Sequence, residues 1–185
     1  MADGADEGID FSKTLLGNDP VGPLAKLLWE CSVIHTAADV EPIVRMFMSH
    51  NAASTAWHLT DWTWKRCPAD KRPALTAAVG AKGESFAEYA YAVRHASKEV
   101  AVCRQLATAG KHVTVSRGEM KNLSVEVERD DEAGTSQVWL KIDEVRIPDF
   151  DVYAVALRWW IDLYIQIGFP EAERVKAALD EGLQS

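Results

Sequence analysis

Apolar residues recur at helical spacing along most of this chain and switch to strict alternation in one region only. The first stripe is Leu24, Leu27, Leu28, Cys31 and Ile34, which predicts a helix starting near Val21, after Asn18-Asp19-Pro20. A second, long helix is predicted from about Val40 to Arg66, with Asp39 as N-cap and Pro42 in the first turn. It must stop at Cys67-Pro68, because a residue preceding proline is pushed out of helical geometry. Residues 69–83 predict a short helix and a loop. Ser85 and Glu88 form a capping-box pattern that opens a helix through Phe86, Tyr89 and Tyr91. That helix breaks near Ala96-Ser97, resumes at Lys98 and stops at Gly110, a residue suited to a left-handed C-terminal position.

The alternating region is Leu123-Ser124-Val125-Glu126-Val127-Glu128 and Val138-Trp139-Leu140-Lys141-Ile142, separated by polar sequence containing Gly134. It predicts a β-hairpin at about 122–143. Two strands alone are marginal, so the hairpin must lie on the helices or gain a third strand from Val145-Arg146-Ile147. A closing amphipathic helix follows from about Asp151 to Ile167, with Val152, Ala156, Trp159, Trp160, Tyr164 and Ile167 on its apolar face, and residues 170–183 add a short last helix. The predicted fold is mainly α: a helical bundle with a small hairpin before the closing helix. At least four helices are expected to pack around Phe47, Trp57, Leu106 and Trp160, with the hairpin outside that core.

With 185 residues, 48% of them apolar, the chain fills one core and not two, so residues 19–185 read as a single domain behind a flexible leader at 1–18. The formal charge of -8 excludes a broad basic footprint for non-specific DNA binding, leaving only room for a local basic patch. Cys31, Cys67 and Cys103 are odd in number and widely spaced, against a disulfide framework or zinc ribbon and in favour of a reducing cytoplasm. No window has the length and apolarity of a membrane span.

Two polar islands interrupt the apolar pattern. In Ala56-Trp57-His58-Leu59-Thr60-Asp61-Trp62, a helical period brings Asn51, Thr55, His58 and Asp61 near one face, where imidazole and carboxylate can meet across a turn. The neighbouring Ala52, Ala53 and Ala56 allow close approach of another helix. Gly110-Lys111-His112 places two basic residues at a helix end, where they either cap carbonyls or face an anion. His58, Asp61, Lys111 and His112 are therefore the candidate ligand- or partner-binding residues. The competing structural view has His58 and Asp61 satisfying each other while Trp57, Trp62 and Trp64 fill core or interface.

His58-Leu59-Thr60-Asp61-Trp62, the helix end Leu106-Ala107-Thr108-Ala109-Gly110-Lys111-His112, the hairpin and Trp159-Trp160 together resemble a group of uncharacterised bacterial helical proteins and, more distantly, the HEPN superfamily. The resemblance spans roughly Val21 to Phe169. It implies a helical bundle that dimerises and serves bacterial defence or stress systems, either as a non-catalytic binding module or as a metal-independent endoribonuclease without cofactor. The ribonuclease signature is an Arg, a spacer of roughly four to six residues, and a His, so that one holds phosphate and the other moves a proton. Arg45 and His50 fit that spacing, although Met46 stands where a polar residue is common, and Arg104 and His112 are one step too far apart. Outside that role, Arg45 is expected on a solvated helix face and His50 as a satisfied interior histidine. A metal-dependent enzyme is a third option, without H-E-x-x-H or close ligand pairs to support it. Neither a nucleophile elbow nor a phosphate loop occurs. Seven tryptophans exceed the needs of one small core, which adds weight to a homodimer interface, and a protein or RNA partner fits the same surfaces.

Overall fold

The structure, a computed structural model, describes residues 21–37, 39–109 and 120–182. Among them are seven helices: α1 (Gly22–Thr36), α2 (Pro42–Arg66), α3 (Arg72–Ala78), α4 (Phe86–Ala96), α5 (Lys98–Ala109), α6 (Asp149–Gln166) and α7 (Ala172–Gly182). Three antiparallel strands, β1 (Leu123–Asp130), β2 (Thr135–Ile142) and β3 (Val145–Pro148), pair in the order β1-β2-β3. The predicted third strand is thus present, and Val125, Leu140 and Ile147 lie in register across the sheet.

Local chemistry sets the boundaries. Helix α2 begins at Pro42 with Glu41, not Asp39, at the N-cap and no side-chain capping bond, and it ends where Cys67 turns extended before Pro68. Ser85 and Glu88 do form a reciprocal capping box at α4. The break at Ser97 is real: its backbone is extended, and its hydroxyl accepts the Val100 N–H at 3.2 Å, starting α5 afresh. Between β2 and β3, Asp143 and Glu144 both have positive φ, the geometry of a two-residue hairpin turn that twists with the strands.

Helix α2 is the spine of the bundle, packed chiefly on α5 and α1 and also on α6. Ala52, Ala53 and Ala56 are fully buried, and Trp160 Nε1 of α6 donates to the Ala56 carbonyl at 2.9 Å. The hairpin is not outside the core as expected, because Val138, Leu140 and Ile142 alternate inward from β2 and are buried among the helices. Of the four residues expected to anchor the bundle, Trp160 does so, Trp57 and Leu106 are half-buried against it, and Phe47 is 61% exposed.

Candidate functional site

The long helix α2 is two-faced, and its outer face carries the polar island. Its buried positions include Arg45, Ser49, Ala52, Ala56, Leu59 and Thr63, a repeat of three and four residues. The opposite stripe runs Ile43, Phe47, His50, Asn51, Ser54, His58, Asp61 and Lys65, exposed except for half-buried Ser54 and His58. No Lys, Arg, Asp or Glu lies on its first half: between Ile43 and Thr60 the single residue of those types is Arg45, and that is turned inward. Large apolar residues stand there instead, with Ile43 52%, Val44 43%, Met46 43% and Phe47 61% exposed. Together they expose apolar surface on the scale of the largest patch of a typical monomer, ~300–600 Å².

The second half of the stripe carries His58 and Asp61, flanked by the half-buried rings of Trp57 and Trp62. Arg104 of α5 lies 5.8 Å from the Trp57 ring and Arg66 lies 5.5 Å from that of Trp62, so both rings sit under a guanidinium. Burial, and then the charge of Arg94, push the Arg104 guanidinium below its ordinary pKa. Thr55, expected beside His58, is instead buried and takes a 2.6 Å hydrogen bond from Lys26 of α1. Lys111 and His112 lie outside the described residues, as does Gly110, so the second island is not placed against the first.

Arg45 departs most from expectation. It is 2% exposed, not solvated, and Nη2 donates to Asp149 Oδ1 at 2.8 Å while Nη1 donates to the Ile34 carbonyl at 2.6 Å. Asp149 Oδ1 also accepts from Gln137 Nε2 at 3.0 Å and from the Phe150 N–H at 2.9 Å. One ion pair thereby ties α1, α2, β2 and the start of α6 together. Burial pushes the Asp149 carboxyl above its ordinary range, opposed chiefly by Arg45. His50, expected inside, is exposed, with Nε2 3.4 Å from the Ser54 hydroxyl. Five positions apart on a helix, the two residues point about 140° away from one another. The Arg45 and His50 side chains therefore do not converge.

Two features went unnoticed in the sequence. A groove of about 610 Å³ between α1, α6 and α7 has Trp29 at its rim, 64% exposed, and His35 stacked on Phe150 at 4.7 Å. On α4, the Tyr91 and His95 rings lie 4.3 Å apart at a tilt of 48° beside a second groove of about 610 Å³. The signal for both was an aromatic at an outward helical position, Trp29 for the first and Tyr91, 60% exposed, for the second. All three cysteines are free and buried, and burial raises each thiol, that of Cys31 up to about 12, which disfavours the nucleophilic thiolate. Among the described residues no three His, Cys, Asp or Glu side chains gather as a metal site, and no helix is long and apolar enough to cross a membrane. No protein-family model, curated protein or solved structure matches the chain.

Proposed function

We propose that this chain is a non-catalytic, partner-binding helical domain of a bacterial defence or stress system, and that it works as a homodimer joined through the first half of the α2 stripe. The observation that carries this is the uncharged apolar surface of Ile43, Val44, Met46 and Phe47 on a chain of net charge -8. Two copies of so acidic a protein repel wherever charges face each other, and this stripe lets them meet without that cost. An antiparallel pairing about a two-fold axis near Phe47 sets Phe47 against Phe47 and Ile43 against Asn51. It leaves His58 and Asp61, with Trp57 and Trp62, open for a further protein or RNA partner. The bacterial setting rests on the resemblance alone.

An endoribonuclease has less behind it, since Arg45 is committed to Asp149 and Ile34. A metal-dependent enzyme has less still, for want of a ligand cluster among the described residues. Light scattering tests the leading function: the wild type is a dimer at micromolar concentration, and Phe47→Asp, a change on an exposed position, is a folded monomer with an unchanged circular dichroism spectrum. A wild type that stays monomeric at high micromolar concentration contradicts it.

A further inference from the structure

Helix α1 carries a second stripe beside the one it buries. Ala25, Leu28, Trp29, Ser32 and His35 recur at steps of three and four residues and form one wall of the groove of about 610 Å³, whose other walls include Phe150 and Ala154 of α6 and Leu179 of α7. None of the residues lining it is Lys, Arg, Asp or Glu. Trp29, 64% exposed, is the most exposed large apolar side chain among the described residues. An open, uncharged groove between helices suits the apolar face of a further helix, not an enclosed small molecule.

The chain itself supplies such a face, next to α1 in sequence. Residues 1–20 precede α1 and lie outside the described residues, and Ile9-Asp10-Phe11-Ser12-Lys13-Thr14-Leu15-Leu16 stands among them. On a helical wheel Ile9, Phe11, Ser12, Leu15 and Leu16 fall within an arc of about 160°, and Asp10, Lys13 and Thr14 share the other side. Gly17 follows, a residue that readily ends a helix. The link Gly17-Asn18-Asp19-Pro20 reaches ~13 Å when extended, whereas Ala25, where the α1 wall begins, is only about 6 Å along the helix from Val21. A helix over residues 9–16 is about 12 Å long and the wall from Ala25 to Thr36 about 17 Å, so the segment fits by doubling back along α1. So short a tether gives an effective concentration on the order of millimolar, and a modest intrinsic affinity then fills the groove. We propose that residues 9–16 of this chain bind in the groove between α1, α6 and α7 as an amphipathic helix antiparallel to α1, with Leu15 and Leu16 toward Leu28, Phe11 toward His35 and Phe150, and Trp29 covered. The groove shares no residue with the outward stripe of α2, so the inference stands apart from self-association.

The test places a nitroxide on the full chain at Lys13→Cys, on the polar side of the segment, and follows backbone amide signals by NMR. The native cysteines are buried and stay unlabelled. The amides of Trp29, Ser32, His35 and Ala178 lose most of their intensity, while those of Tyr91 and His95 beside the second groove keep theirs. Adding Phe11→Asp and Leu15→Asp, both outside the packed core of described residues, restores the lost signals and leaves the rest of the spectrum in place. When nitroxide and isotope are carried by separate chains and the two are mixed, the groove amides lose little. No loss at the groove, equal loss at both grooves, or a loss that survives the two Asp changes overturns the proposal. A loss just as strong between separate chains seats a second copy's segment in the groove and overturns it too.

Discussion

Arg45→Ala is the most consequential single change the structure defines. It leaves the Asp149 carboxylate, 0% exposed, without its counter-ion and the Ile34 carbonyl without the guanidinium that serves it. Gln137 and the Phe150 N–H still reach Oδ1, so the carboxylate is solvated in part. Breaking one side of a buried ion pair costs about 3–5 kcal/mol, a fifth or more of the ~5–15 kcal/mol that stabilises a typical domain. For a chain of this length that is a fall in Tm of roughly 6–20 °C. Urea unfolding followed by tryptophan fluorescence measures it, with a lower midpoint and unchanged slope expected. Replacing both partners together, Arg45→Met with Asp149→Leu, removes the stranded charge and costs less than the two single changes added, so the double-mutant cycle shows strong coupling. An Arg45→Ala cost below about 1 kcal/mol, the scale of an exposed position, refutes the buried pair.

Two further outcomes follow from local structure. Glu144 holds φ near 67° in the β2–β3 turn, where a Cβ is strained, so Glu144→Gly raises stability by about 0.5–1 kcal/mol despite losing an exposed pair with Lys141; thermal melting checks the sign. The Cys31 thiol is raised from 9.0 to about 12, so the native chain keeps a proton that the unfolded chain releases first. Its contribution is complete below pH 9.0 and is lost as pH climbs toward 12. The urea midpoint therefore falls across that alkaline range, less steeply in Cys31→Ala, and equal slopes for both proteins refute the assignment.

Much of the fold was legible because period and punctuation agree. Alternation at 123–128 and 138–142 located two strands, and the Ser85 and Glu88 pattern and the Ala96-Ser97 break fixed both ends of α4. The sheet's burial was not legible, since a hairpin's own pattern shows which face is apolar and not what covers it. Arg45 was misplaced for a comparable reason. A helical period does align it with Ala52, Ala56 and Leu59, but Asp149, which makes burial affordable, lies 104 residues away in sequence. Phe47 was misplaced the opposite way: size and apolarity pointed inward, while its phase, shared with Asn51, Ser54 and His58, pointed outward. The Ser49 and Tyr153 contact, again 104 residues apart, depends wholly on how α2 meets α6.

Self-association through the outward stripe of α2 is tested most directly by Phe47→Cys in oxidising buffer. The native cysteines are buried and do not compete, and a two-fold axis near Phe47 brings the two introduced thiols within bonding range. Trp29→Cys, equally exposed but on α1 beside the α6–α7 groove and not on the α2 stripe, serves as control. The account predicts rapid, near-complete formation of a disulfide-linked dimer by Phe47→Cys at micromolar concentration and little by Trp29→Cys. A Phe47→Cys chain that stays monomeric, or that cross-links no faster than the control, contradicts it.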